Sequence, residues 1–136
     1  MEKWKEVLME VIPIGNYQTR LINGEDNGLI IELYNTQNIV KINFGIVKAI
    51  RMLDEGIVQS ELYSSAEINK YKDTNFRNVI YEILDGEFEN QIHRIAGSYW
   101  DIIHPRHYIV ITMNYNIDII SEWEPTVEIK EVKKYS

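Results

Sequence analysis

The stretch from Tyr17 to Phe44 constrains the fold more than any other part of the chain. It holds three apolar runs, "YQTRLI", "LIIELY" and "IVKINF", separated only by "NGEDNG" and "NTQN". Parallel strands need a crossover of about a dozen residues or more, so spacers this short permit hairpins and therefore antiparallel pairing. Asn, Gly and Asp in the spacers are the residues that turns require. Within the second run Leu29, Ile31 and Leu33 alternate with Ile30, Glu32 and Tyr34, which directs the first set to a core and the second away from it. Beyond Gly45, "IVKAIRML" extends the meander, and "DEG", Asp54 to Gly56, closes it.

The remaining segments are mixed in type. Trp4, Val7, Leu8, Val11 and Ile12 follow helical spacing up to Pro13, but Val7, Met9 and Val11 also alternate as in a strand. Ser64 and Glu67 in "SSAE" form a capping-box pattern that starts a short helix. "FRNVIYEIL", Phe76 to Leu84, fits either period and reads as a strand on its β-branched and aromatic content. Phe88, Ile92, Ile95, Ala96 and Tyr99 recur at helical spacing, with Glu87 and Glu89 in the first turn and Gly97 as a stop. The pair "HYIVIT" and "IDIISE" reads as a hairpin about the asparagines between them. Odd positions from Ile109 to Ile119 are apolar, whereas Thr112, Asn114, Asn116 and Asp118 are polar, as in a half-exposed sheet. "TVEIKEV" adds an edge strand, and residues 126–136 end in a charged tail. The whole predicts a single α+β domain, with a largely antiparallel β-sheet of about six to eight strands and two or three short helices.

Composition narrows the chemistry. A chain of 136 residues with 45% hydrophobic content can bury its own core. With no cysteine there is no disulfide, thiolate zinc site or cysteine nucleophile. The first fifteen residues lack the features of a signal peptide, and the longest apolar runs are only a few residues, so a cytoplasmic protein is expected. The net charge of -7 repels phosphate backbones, which argues against direct nucleic-acid binding and favours a basic protein partner. Solubility alone also accounts for a mildly acidic surface.

His104 and His107 flank Pro105 and Arg106 and invite a metal reading, with His93 and Asp101 as further ligands. Pro105 opposes a helix there, and residues three apart on a strand point to opposite faces, so loop histidines are expected instead. No G-x-S-x-G, P-loop or G-x-G-x-x-G pattern is present. Carboxylate pairs can be drawn from Asp54, Glu55, Glu61 and Glu82, but 21 acidic residues make some such pair inevitable. No catalytic residue, metal or cofactor is assigned.

What remains is binding. Nine tyrosines and three tryptophans supply the side chains that anchor protein interfaces. Two clusters join aromatic to acid: Tyr99, Trp100 and Asp101 in "SYWDI", and Asp118, Glu122, Trp123 and Glu124 in "DIISEWEP". These seven are the candidate partner-binding residues. An exposed Trp123 between carboxylates suits a partner rich in Lys and Arg. In the competing reading Trp123 packs on the sheet edge.

The segments "VKAIRMLDEG", "FRNVIYEILDGEF" and "HYIVITMNYNIDIISEWEP", with the acidic balance and the absence of cysteine, resemble in overall cast the small acidic immunity proteins that bacteria encode beside polymorphic or contact-dependent toxins. The resemblance implies a non-enzymatic protein that binds a cognate toxin domain, often a nuclease, and covers its active site. It carries no residue across. Two alternatives stand beside it: a small-molecule-binding or enzymatic α+β domain with a pocket between helix and sheet, and a structural subunit of a larger assembly.

Overall fold

The computed structural model describes residues 1–58 and 62–132. Nine strands occur in chain order: β1 (Lys3–Glu6), β2 (Gln18–Ile22), β3 (Leu29–Tyr34), β4 (Asn38–Gly45), β5 (Ala49–Asp54), β6 (Ile80–Leu84), β7 (Arg106–Ile111), β8 (Tyr115–Ser121) and β9 (Thr126–Glu131). Three helices join them, α1 (Ser65–Lys72), α2 (Glu87–Ala96) and α3 (Tyr99–Ile103), with a 3-10 turn at Glu55–Ile57. The strands form two antiparallel sheets rather than one. The first has the order β1-β6-β7-β8-β5 and the second β2-β3-β4-β9. The α+β expectation holds, and no helix among the described residues is long and apolar enough to cross a membrane.

The sheets pack face to face. Leu29, Ile31, Leu33, Val40, Ile42 and Phe44 of the second sheet meet Ile80, Tyr108, Val110, Ile117 and Ile119 of the first in one buried cluster. The other face of the first sheet is covered too. Trp4, Tyr81, Ile83 and Ile109 pack there with Tyr63 and with Ile68 and Tyr71 of α1. The five-stranded sheet is therefore the middle layer, apolar on both sides, which explains the near-continuous burial of β7 and β8.

The β7–β8 hairpin is present, but its faces differ from the simple alternation. Three residues, Thr112 to Asn114, separate the strands, and the register pairs Ile109 with Asp118 and Val110 with Ile117. Odd positions of β7 thus share a face with even positions of β8. Ile109 and Asp118 point to the helical side; Tyr108, Val110, Ile117 and Ile119 point between the sheets. The half-exposed polar face expected from Asn116 and Asp118 is corrected to a buried one at Asp118.

The meander runs through β2, β3 and β4 as expected and then stops. Gly28 (φ +69°) approaches Gly45 so closely that a Cβ on Gly28 would sit 2.2 Å from the Gly45 carbonyl carbon. After Gly45 the chain changes sheets, and β5 pairs with β8. The vacated edge of β4 is taken by β9, the edge strand read from "TVEIKEV". The charged tail beyond it, residues 133–136, lies outside the described residues, as does Glu61.

Neither reading of the N-terminal segment holds: the strand is Lys3–Glu6, and residues 7–12, which fit both periods, lie beyond it in turns. Leu8 (φ 53°) and Glu10 (φ 64°) are left-handed, which a helix through them excludes. Trp4 holds the strand through long-range packing: its ring lies 5.7 Å from Tyr63, 6.4 Å from Tyr71 and 5.6 Å from Tyr81. The strand reading of "FRNVIYEIL" holds for Ile80–Leu84 only. The Ser64 cap is made, its Oγ accepting the Glu67 N–H at 3.4 Å. The reciprocal half of the box is replaced, because the Ser64 N–H donates to Glu2 instead, at 2.7 Å. Gly97 (φ +60°) ends α2 as expected, so Tyr99 begins α3 rather than extending α2.

Candidate protein-binding face

Six of the seven candidate residues lie on or beside one end of the β7–β8 hairpin. Beyond β8, Ser121 Oγ accepts the Trp123 N–H at 3.2 Å and donates to its carbonyl at 3.1 Å. This tight side-chain turn ends the strand. Trp123 is left 60% exposed, so the reading that packs it on the sheet edge does not apply. Tyr99 starts α3 and is 48% exposed. Ile102, one turn on and on the same helical face, is 72% exposed. Asp101 and Glu124 are exposed and Glu122 half-buried.

Lys48 joins the two clusters. Its backbone N–H donates to the Ile120 carbonyl at 2.8 Å, which holds it beside the end of β8. Its ammonium lies 3.2 Å from the Tyr99 hydroxyl and 3.7 Å from the Glu122 carboxylate. The hydrogen bond to Tyr99, aided by the charge of Glu122, holds the Lys48 ammonium above its ordinary pKa. "SYWDI" and "DIISEWEP", about twenty residues apart in sequence, become one surface through a residue that neither contains. Trp100 plays a different part. It stacks on His93 at 4.9 Å and 14° and so ties α3 to α2.

Asp118 departs from its expected place. It was expected among exposed acids, and it is 0% exposed. The hairpin register turns it to the helical side, where Tyr63 and α2 cover it. Its Oδ2 accepts from Arg51 Nε (3.1 Å), Arg51 Nη2 (3.0 Å) and the Tyr63 hydroxyl (2.7 Å). Its Oδ1 is 2.7 Å from His107 Nε2. Arg51 reaches on to Glu87 at 2.7 Å and stacks 4.7 Å above Phe88. Burial works against the Arg51 charge, but Asp118 and Glu87 outweigh it and raise the guanidinium pKa. Burial, and then the neighbouring Asp118 charge, push the Tyr63 phenol well above its usual value. A carboxylate this fully paired, under a covering helix, is a structural brace and is closed to a partner.

Reasoning from sequence did not single out Arg51, Tyr63 or Lys48. Arg51 had a signal: it is the lone charge in the apolar run "AIRML", as Asp118 is in "IDII", and two opposite charges each isolated among apolar residues imply a buried pair. Lys48 had none, since only the crossing of the chain between sheets brings it to Tyr99.

The histidines separate. His107 lies on β7, 2% exposed, with its Nδ1 packed against Gly86 and without a hydrogen-bond partner among the described residues. His104 is exposed in a left-handed conformation (φ 48°) that ends α3. Among the described residues no three His, Asp or Glu side chains come together as a metal-ligand set. Against known proteins, no family model, no curated protein and no solved structure matches this chain.

Proposed function

We propose that the chain is a non-catalytic binding protein that uses the Tyr99–Trp123 face to hold a basic protein, as an immunity protein holds its toxin. The observation that carries this reading is the Lys48 bridge. It merges two aromatic and acidic clusters into one exposed face on a molecule of net charge -7. Tyr and Trp contribute large contact area at little entropic cost, and flanking carboxylates steer a cationic partner. Asp101, Glu122 and Glu124 supply those carboxylates, and Tyr99, Ile102 and Trp123 supply the anchors. Asp118 and Trp100 support the face from behind. A toxin whose cationic cleft binds nucleic acid is the partner that such a surface fits, and the cytoplasm is where it would be met.

The test is affinity capture from source-cell lysate with two baits, the native protein and a variant carrying Tyr99→Ala, Trp123→Ala and Glu124→Lys. A basic polypeptide held at near-equal stoichiometry by the native bait alone, and toxic when expressed without this protein, supports the proposal. A partner retained equally by both baits, or no face-dependent retention, contradicts it.

A further inference from the structure

A cavity of about 870 Å³ opens at the other end of the β7–β8 hairpin, between α1 and the edge of the sandwich. The seven residues of β8 put about 20 Å between it and the Tyr99–Trp123 face. Ser65, Ile68, Asn69 and Lys72 line it from α1, at the i, i+3, i+4, i+7 spacing of a single helical face. Trp4, Phe76 and Ile111 add apolar and aromatic wall. The volume lies in the range of small-molecule sites, which are mostly apolar with a few polar groups.

Two features distinguish it from a packing gap. First, its charge runs against that of the molecule. Lys72 and Arg77 line it against the single carboxylate of Glu55, and neither cation forms an ion pair among the described residues. The side-chain amides of Asn69 and Asn116, also on the wall, have no hydrogen bond among the described residues. Second, the wall is strained. Phe76 (φ 53°) and Val79 (φ 66°) are left-handed, a conformation that bulky and β-branched residues avoid, and Asn75 (φ 55°) beside them is left-handed too, as asparagine tolerates. The strain is held in place by bonds from the Asn75 N–H to the Lys72 carbonyl (2.9 Å), the Phe76 N–H to the Tyr71 carbonyl (3.1 Å) and the Val79 N–H to the Phe76 carbonyl (3.0 Å). Backbone strain of this kind persists where surrounding structure over-determines it, and it fixes Phe76 and Arg77 at the cavity before any ligand arrives.

We infer that this cavity binds a small organic anion with an aromatic or apolar body, its anionic group at Lys72 and Arg77 and its body against Ile68, Phe76 and Trp4. The site is independent of the protein-binding face.

The probe is 8-anilinonaphthalene-1-sulfonate, an aromatic body carrying one sulfonate, titrated into the native protein. Its uncharged counterpart, N-phenyl-1-naphthylamine, is titrated in parallel. The rise in the probe's own fluorescence on leaving water reports occupancy. The expected result is one saturable site for the sulfonate. In Lys72→Glu/Arg77→Glu its affinity falls by about tenfold or more, while that of the neutral counterpart is unchanged. Lys41→Glu/Lys130→Glu, on strands β4 and β9, leaves both unchanged. Lys72→Gln/Arg77→Gln gives a smaller loss in the same direction and guards against misfolding of the reversed variant. Absence of a saturable site, equal affinity in the reversed variant, or an equal loss in the β4/β9 control overturns the inference.

Discussion

Asp118 fixes more of this molecule than any other single residue. Four donor atoms converge on its carboxylate from Arg51, Tyr63 and His107, and none of these neighbours adjoins it in sequence. Asp118→Ala strips the half-buried Arg51 guanidinium of its main partner and leaves the buried Tyr63 hydroxyl and His107 ring unpaired, and is expected to cost about 3–5 kcal/mol, measured by urea unfolding. The paired replacement Arg51→Met/Asp118→Leu removes both charges and is expected to recover much of that loss, as apolar substitutes for buried ion pairs do. The phenols give a second test. Burial raises the pKa of Tyr63 and of Tyr81 above the ordinary value of 10.0. A raised folded-state pKa means that the stability these phenols contribute is complete below pH about 10, the unfolded value, and is lost as pH rises beyond it. Titration followed by tyrosinate absorbance should show Tyr63 and Tyr81 ionising only above pH about 10, together with unfolding. Ionisation at or below pH about 10 without unfolding contradicts the packing around Asp118 for Tyr63 and the packing against Trp4 for Tyr81. At this scale the sequence left Trp123 open between an exposed anchor and a residue packed on the sheet edge, and it was misleading for Asp118. A polar residue alternating with isoleucines looks solvent-facing unless the turn length, and with it the parity, is known.

Among elements, hairpins were readable and crossovers were not. Short spacers with Asn, Gly and Asp specify β2–β3, β3–β4 and β7–β8 locally. Nothing local announces that β5 leaves β4 for β8, because that choice is made where Gly28 and Gly45 touch. Gly28→Ala puts a Cβ into the Gly45 backbone and adds a left-handed alanine, so it is expected to destabilise by several kcal/mol. Gly24→Ala, in the same turn with nothing near its Cβ, serves as the comparison and should cost far less. The Ser64 signal was legible and correct for α1; Ser64→Ala is expected to lose about 1 kcal/mol, read as a lower urea midpoint. The N-terminal segment could not be decided from its own residues. The spacing of residues 7–12 fits two periods and the segment adopts neither, while the aromatic cluster around Trp4 that holds the strand Lys3–Glu6 is assembled from residues 63, 71 and 81.

Across the whole molecule, the sandwich separates two surfaces along the β7–β8 hairpin. At one end stand exposed aromatic groups among carboxylates; at the other a cavity carries two cations. The α+β class and the antiparallel pairing were visible in residue patterning, but the split into two sheets was not, since each strand sees only its own alternation. The candidate binding residues were visible as two clusters in sequence, while their union through Lys48 required the fold. The central claim is that the Tyr99–Trp123 face binds a basic protein, and the most direct measurement is the association and dissociation kinetics of the captured partner over a range of salt. Glu122→Lys/Glu124→Lys is expected to slow association about tenfold at low salt and to flatten its salt dependence. Trp123→Ala is expected to speed dissociation by about 30-fold, the effect of losing a central anchor. Association that does not respond to salt or to these charge reversals, with dissociation unchanged in Trp123→Ala, would contradict the account.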